Sequence, residues 1–270
     1  MTLIPQNQLS YPAGLAPGFD STHFAAKNTR LSAVAMASGN FVNLLNGKFG
    51  TLTGTPQGSF SSIGPVKDFG NATTDAVLFP AGSSIADAAA SVALIWMTDS
   101  NYPTGNSELF NNSNSSSGCS IWSSQGGSTL KVQNNSTAIY NTTIPQAANT
   151  PYFACITFDG VDNIYTVVVN LNTGALFTAT NSASTAGQLR TPASNIQIGN
   201  GWNDAAPASS KIAAAAFIGN PLGFGNMLKW AEDPWGFWYP NNTIIKPNDL
   251  SVGTASVVVT HWGTTLMMGV

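Results

Sequence analysis

Short apolar segments, each followed by a cluster of turn residues, run through most of this chain and constrain its fold more than any other feature. Gly, Asn, Asp, Pro and Ser supply the turn clusters. The segments are residues 31–36, 41–45, 76–79, 91–97, 119–122, 129–133, 153–158, 165–169, 175–179, 196–198 and 212–218. Many short strands with few helices are typical of a β-sandwich. The pattern therefore predicts an all-β fold.

One short helix is predicted just after the last strand. Met227, Leu228 and Ala231 recur at helical spacing, and Asp233-Pro234 ends the segment because proline cannot continue a helix. The large rings in and after it are Trp230, Trp235, Phe237, Trp238 and Tyr239. We expect this aromatic segment to be buried against the sandwich or a neighbouring subunit, since it would otherwise expose an aggregation-prone patch.

Several motifs together resemble a known family. LAPG at residues 15–18, NLLNGKFGTLTGTP at 43–56 and GPVKDFGNATTDAVLFP at 64–80 are similar to its opening strands, and EDPW at 232–235 is similar to its closing helix. In order and spacing the chain resembles the laminin-G-like, concanavalin A-like jelly-roll proteins of tailed bacteriophage virions. This resemblance implies a concanavalin A-like jelly-roll β-sandwich with one short C-terminal helix. It also implies a virion structural protein: a capsid decoration, head fibre or tail-associated subunit.

The predicted organisation is an N-terminal arm (residues 1–30), the sandwich (31–240) and a C-terminal extension (241–270). The arm is expected to run over the domain surface. The extension contains a β-rich run that either adds a strand to a partner's open sheet edge or pairs with its own sandwich. The tentative assembly contacts are Val257, Val259, Trp262, Leu266, Met267 and Met268.

The charge balance indicates which partners to expect. Charged residues make up 8 % of the chain and the net charge is −3, so neither nucleic acid nor an anionic membrane is the expected partner. The longest near-apolar stretch is too short to insert into a membrane. Since the N-terminus lacks a secretory signal pattern, we expect a virion protein made in the host cytoplasm. Its expected partners are other virion proteins and copies of itself.

The acidic residues do not predict an enzyme. Glycosidases of this fold class need two carboxylates on one strand face. Glu108 is expected in a loop and Glu232 in the closing helix, while Asp159 and Asp162 are expected to form a tight turn. The sequence therefore predicts no catalytic residues.

Metal-ligating residues are sparse. His23 and His261 have no Cys, His or carboxylate at ligand spacing, and both are interpreted as structural. Calcium ligation by loop carboxylates such as Asp75 stays open. Cys119 and Cys155 are expected to be free buried thiols, although a disulfide between them stays open. We predict no metal site and no cofactor.

The alternative function is a lectin-like module that recognises host surface polysaccharide. Sugars bind where an aromatic ring stacks on the sugar face and planar polar groups bond its hydroxyls. Two loops offer this chemistry: the polar stretch at residues 101–118, expected to be exposed and mobile, and the loop after residue 198. The candidate residues are Tyr102, Trp122, Asn200, Trp202, Asn203 and Asp204. Otherwise, these tryptophans cover the edge of the sandwich.

Overall fold

The computed structural model describes residues 9–13, 15–69, 75–80, 89–98, 106–112, 119–124, 128–134, 138–183, 195–199, 210–240, 259–261 and 264–266. The chain divides into two compact units, Met1–Pro240 and Asn241–Val270. Each unit has its own β-structure.

The larger unit contains seventeen strands and one helix in its described residues. They are β1 (Thr29–Ala35), β2 (Phe41–Asn43), β3 (Lys48–Phe49), β4 (Thr51–Thr53), β5 (Gln57–Ser61), β6 (Gly64–Asp68), β7 (Ala76–Phe79), β8 (Ala90–Thr98), β9 (Asn106–Asn111), β10 (Cys119–Ser124), β11 (Thr129–Asn134), β12 (Ala138–Thr143), β13 (Pro151–Phe158), β14 (Asn163–Asn170), β15 (Leu176–Ser182), β16 (Ile196–Gly199), β17 (Ser210–Ile218) and α1 (Phe224–Glu232). Each segment predicted as a strand overlaps an observed strand. The all-β fold with one short helix is confirmed.

The strands form two antiparallel sheets. The ten-stranded sheet has the order β15-β14-β13-β8-β17-β1-β2-β3, and β6 pairs with both β17 and β5. The seven-stranded sheet has the order β12-β11-β10-β9-β16-β7-β4. The chain passes from one sheet to the other at Gly50, between β3 and β4. A side chain at Gly50 would meet Val77, so glycine permits this close approach.

Both faces of the central strands of the ten-stranded sheet are buried. In β8, Val92, Leu94 and Trp96 face a first core between the two sheets, whereas Ala93 and Ile95 face a second core on the opposite side. This is the period-two alternation of a strand, with apolar residues at both sets of positions. It explains why the central strands appear in the sequence as continuous apolar runs.

The second core is closed by the N-terminal arm together with the aromatic segment after α1. Trp230, Phe237 and Trp238 are fully buried, as is Leu9 of the arm. The backbone N–H of Gly18 donates to the carbonyl oxygen of Trp238 at 2.8 Å. The predicted burial of the aromatic segment is confirmed, and its rings pack within this chain.

Helix α1 presents the predicted face to the second core. Met227 and Ala231 are buried, Trp230 joins them, and Leu228 is partly buried. The helix ends at Glu232, and the backbone N–H of Asp233 donates a hydrogen bond to the carbonyl oxygen of Trp230. The following proline makes that end unavoidable.

The prediction of a long exposed loop at residues 101–118 is wrong in its central part. Asn106–Asn111 is strand β9, and Glu108, Leu109 and Phe110 are buried. The segment forms a strand because Leu109 and Phe110 enter the first core while the backbone pairs with β10 and β16. Glu108 therefore lies in a strand, not in a loop. Residues 101–105 and 113–118 lie outside the described residues.

The smaller unit contains a two-stranded antiparallel sheet. Strands β18 (Val259–His261) and β19 (Thr264–Leu266) pair, with Val259 opposite Leu266. The predicted strand near residue 260 is thus observed. The other tentative assembly residues, Val257, Trp262, Met267 and Met268, lie outside the described residues, and the assembly role stays a prediction.

Candidate functional site

The outward face of the seven-stranded sheet carries a row of functional side chains. Glu108, Trp122, Lys131 and Asn141 stand directly opposite one another across β9, β10, β11 and β12. Directly opposed residues share one face of a sheet. Their strand neighbours, such as Ile121, point the other way into the first core.

A second row runs parallel to the first. Gln197, Asn111, Ser120 and Gln133 oppose one another across β16, β9, β10 and β11. Amide and hydroxyl groups therefore line the same face as Trp122. We call these eight residues of the two rows the polar face.

A β-bulge in β9 brings Glu108 onto the polar face. Phe110 opposes Ile121, but Glu108 opposes Trp122, so Leu109 is the extra residue. In an uninterrupted register Leu109 would oppose Trp122, and the Glu108 carboxyl group would point to the opposite face. The bulge thus places a carboxylate beside an indole ring.

The polar face combines buried and accessible groups. Glu108 and Asn111 are only 4 % and 2 % exposed, and the Asn111 side-chain amide donates to Glu108 Oε1 at 2.8 Å. This bond matters because a buried carboxylate needs hydrogen-bond donors. Trp122 and Lys131 are half-buried and Asn141 is exposed. Ser120 is also buried, so the accessible residues of the polar face are Trp122, Lys131, Gln133, Asn141 and Gln197.

These groups suit sugar binding better than catalysis. An indole ring can stack on the apolar face of a sugar, while amides and an ammonium group bond its hydroxyls. Glu108 is the single carboxylate among the eight residues of the polar face. Most glycosidases cleave the glycosidic bond with a pair of carboxylates.

Of the sequence-predicted sugar-binding residues, Trp122 lies on the polar face. Tyr102, Asn200, Trp202, Asn203 and Asp204 lie outside the described residues, so their role stays a prediction. The sequence reasoning missed the other seven residues of the polar face. Alternation in β11 indicates that Lys131 and Gln133 share a side, but cross-strand register alone shows that this side is also that of Trp122.

The other candidate residues have structural roles. Asp159 Oδ1 accepts the backbone N–H groups of Val161 and Asn163, which confirms the predicted turn. Asp75 Oδ1 accepts the N–H of Thr55 at 2.8 Å. Within the described ranges, no group of three or more His, Cys, Asp or Glu side chains could hold a metal ion.

The two cysteines are free and lie in different cores. Cys119 belongs to the first core and Cys155 to the second. Burial raises the pKa of both thiols, and the charge of Glu108 adds to this effect at Cys119. Neither thiol is available as a nucleophile near neutral pH.

His23, in the N-terminal arm, packs against the aromatic segment. Its ring centroid lies 5.0 Å from that of Trp230 and 5.2 Å from that of Phe237. Its Nδ1 accepts the N–H of Ala25 at 3.2 Å. Burial lowers the pKa of His23 to about 4, against an opposing effect from Asp20. His23 is therefore neutral at pH 7.

No protein-family model and no curated protein sequence matches the chain. Its fold is similar to solved structures. The receptor binding domain of botulinum neurotoxin C/D mosaic serotype has a TM-score of 0.53 at 10 % identity over 76 % of this chain and 51 % of that one. A structure titled for the dependence of botulinum neurotoxin type C cell entry on two ganglioside molecules has a TM-score of 0.51 at 12 % identity, over 76 % of this chain and 50 % of that one.

Trypanosoma rangeli sialidase in complex with sialic acid is a further structural neighbour. Its TM-score is 0.53 at 10 % identity, over 85 % of this chain and 37 % of that one. The chain thus spans about half the length of the neurotoxin domains and a smaller part of the sialidase. The likeness establishes the fold: an all-β, jelly-roll-like sandwich. In the described residues, no helix combines the length and apolar character needed to cross a membrane.

Proposed function

We propose that this chain is a carbohydrate-binding module that attaches to a cell-surface glycan through the polar face. The observation that carries the proposal is the row in which half-buried Trp122 stands between Glu108 and Lys131. An aromatic ring flanked by fixed polar groups is the arrangement that recognises a sugar ring from one side.

Two of the structural neighbours support this proposal. Cell entry of botulinum neurotoxin type C depends on interaction with two ganglioside molecules. The sialidase structure contains sialic acid. A shared fold at such low identity does not transfer a binding site. The proposal therefore rests on the polar face of this chain. The glycan ligands named for the two neighbours are consistent with it.

Binding without cleavage is the second part of the proposal. Glu108 is the single carboxylate on the polar face, and it is engaged with Asn111. Most retaining and inverting glycosidases use a second carboxylate some ångströms away, and sialidases use a tyrosine nucleophile, but the eight residues of the polar face include neither group. We expect the purified chain to release no reducing sugar from a polysaccharide that it binds. Steady release that disappears in the Glu108→Gln variant would contradict this.

We further propose that the module is carried on a bacteriophage particle and is made in the host cytoplasm. The support is the motif resemblance over residues 15–80 and 232–235, together with a charged fraction of only 8 % that limits repulsion between packed copies. Its partners would be other virion proteins and copies of itself. Mass spectrometry of purified particles should detect this chain at a fixed copy number. Detection only in the soluble lysate would contradict the virion role.

A glycan array tests the binding proposal directly. The wild-type chain should retain one class of glycan, and Trp122→Ala should weaken this binding at least about tenfold, which corresponds to about 1.4 kcal/mol. Phe60→Ala is the matched control because Phe60 is 70 % exposed and lies on β5, in the other sheet. It should bind like the wild type. Equal binding by Trp122→Ala and wild type, with both folded, would overturn the proposal.

A further inference from the structure

We propose that the ligand of the polar face is an extended, uncharged glycan chain that lies across the strands, in contrast to a single acidic terminal sugar. This inference rests on the proposed carbohydrate-binding function and names the class of ligand. Three features carry it: the length of the row containing Trp122, the repetition of amides in the second row, and the balance of charge on the face.

The row containing Trp122 is long enough for several sugar units. It crosses four adjacent strands, from Glu108 on β9 to Asn141 on β12. Strands lie about 4.8 Å apart, so the accessible part of the row, from Trp122 to Asn141, spans about 10 Å and has room for three linked hexoses, one over each of Trp122, Lys131 and Asn141. Exposure also increases along it, from buried Glu108 through half-buried Trp122 and Lys131 to exposed Asn141. A glycan chain stacked on Trp122 would therefore extend toward β12.

The second row repeats hydrogen-bonding groups along the same direction. Ser120 on β10 and Gln133 on β11 lie two residues along their strands from Trp122 and Lys131. Two residues along a strand correspond to about 7 Å. Ser120 is buried and Gln133 is half-buried, so Gln133 is the accessible polar side chain that the second row adds beside Trp122 and Lys131. A site for one terminal sugar instead concentrates its polar groups around one point.

The charge of the face favours a neutral ligand. Glu108 and Lys131 are its ionisable residues, and they lie two strands apart on either side of Trp122. The remaining members of the two rows are amides, one hydroxyl and the indole. A sialic or uronic acid on this face would lie between Lys131, which attracts its carboxylate, and buried Glu108, which repels it, in a chain whose net charge is already −3. Like charges repel most strongly where water is excluded.

Calorimetric titration with oligosaccharides of increasing length tests the inference. The neutral probes are two- to six-unit oligomers of β-1,4-linked glucose and of β-1,4-linked N-acetylglucosamine, and the acidic probes are 3′-sialyllactose and trigalacturonic acid. We expect at least one neutral series to tighten about tenfold from the dimer to the tetramer and then to stop improving. Neutral binding should change little between low and high salt.

Variants test where the glycan chain lies on the polar face. Asn141→Ala, at the far end of the row, should weaken tetramer binding about fivefold and leave dimer binding unchanged. Thr180→Ala is the matched control, since Thr180 is exposed on β15 of the other sheet and should affect neither. Trp122→Ala should weaken binding at every length.

The outcomes separate the two proposals. Binding that needs Trp122 but does not depend on length, or that prefers an acidic probe, overturns the extended neutral ligand and keeps the carbohydrate-binding function. Equal effects of Asn141→Ala on dimer and tetramer overturn the placement along the row. Absence of binding to every probe and every array glycan overturns both.

Discussion

The indole N–H of Trp235 donates a hydrogen bond to the carbonyl oxygen of Leu9 at 3.2 Å, although the two residues are 226 positions apart in the sequence. The ring of Trp235 also meets Tyr11 edge to face, with centroids 5.4 Å apart. The N-terminal arm and the aromatic segment therefore close the second core together. Neither segment can leave the sheet without exposing the other.

Truncation of Trp235 should be costly. Trp235→Ala should lower the free energy of unfolding by about 3–5 kcal/mol, because it removes a large buried ring. Trp235→Phe keeps most of the packing but leaves the buried Leu9 carbonyl without its donor, so about 1–3 kcal/mol is expected. Urea unfolding followed by circular dichroism measures both. Wild-type stability of Trp235→Ala would show that this closure contributes nothing.

The free energy of unfolding should fall in mild acid because of His23. Its pKa is about 4 in the folded protein, against 6.5 for an unperturbed imidazole. A lowered pKa means that the unfolded state binds more protons between these values. The contribution of neutral His23 is thus complete above pH 6.5 and is lost as the pH falls toward 4. We expect a loss of about 1–2 kcal/mol, reduced from the full linkage value because the ring is partly exposed to solvent.

The charged groups near His23 make a variant comparison necessary. Burial disfavours the charged form of Asp20, but hydrogen bonds from Thr22 outweigh this effect and lower its pKa, whereas burial, with a smaller effect from the charge of Asp20, raises the pKa of Asp233. His23→Phe should flatten the pH dependence of unfolding between pH 4 and 6.5 relative to the wild type. Lys27→Gln, an exposed change elsewhere in the arm, is the control. An unchanged slope in His23→Phe would assign the pH effect to the carboxylates.

Two glycine substitutions should act in opposite directions. A Cβ on Gly58 would lie 2.3 Å from the backbone Cα of Gly39, so Gly58→Ala forces apart β5 and the turn before β2. A Cβ on Gly225, in the first turn of α1, meets nothing within 4 Å, and alanine favours a helix over glycine by up to about 1 kcal/mol. Thermal melts should show a lower midpoint for Gly58→Ala and a higher one for Gly225→Ala. A lower midpoint for both would contradict the described environment of Gly225.

Both thiols should be inert in the native state. Cys119 and Cys155 are fully buried, and their pKa values are raised by burial. A thiol reagent at pH 8 should therefore label neither cysteine until denaturant is added, and then both. Labelling of Cys119 in the native protein would show that the first core opens near β9 and β10.

The positions of the central strands could be predicted from the sequence. Which side chains share a face of a sheet could not. Strands such as β8 and β17 are buried on both faces, so their apolar runs are visible directly. Four of the six residues of β9 are polar, and two of them, Glu108 and Asn111, belong to the outward face. Its sequence therefore resembles that of a loop.

The candidate site depends on register, which the sequence does not specify. The sequence predicts Trp122 from its aromatic ring and its position beside the polar stretch at residues 101–118. Glu108 joins it only because Leu109 forms a bulge, and Lys131 only because β11 pairs with β10 at that position. A shift of one residue in either pairing would move these side chains to the other face. The packed N-terminal arm is a similar case, since its anchors, such as Leu9 and Ala25, are isolated and follow no strand or helix period.

The most direct test of the polar face is an NMR titration that follows the seven tryptophan indole N–H signals. Loss of one signal in Trp122→Phe identifies Trp122, and Trp202→Phe identifies the alternative sugar-stacking candidate. On addition of the glycan retained by the array, the Trp122 signal should shift with a saturating dose response. The signals of buried Trp230 and Trp238 should stay in place. A shift confined to Trp202, with Trp122 unchanged at saturation, would contradict the assignment of binding to the polar face.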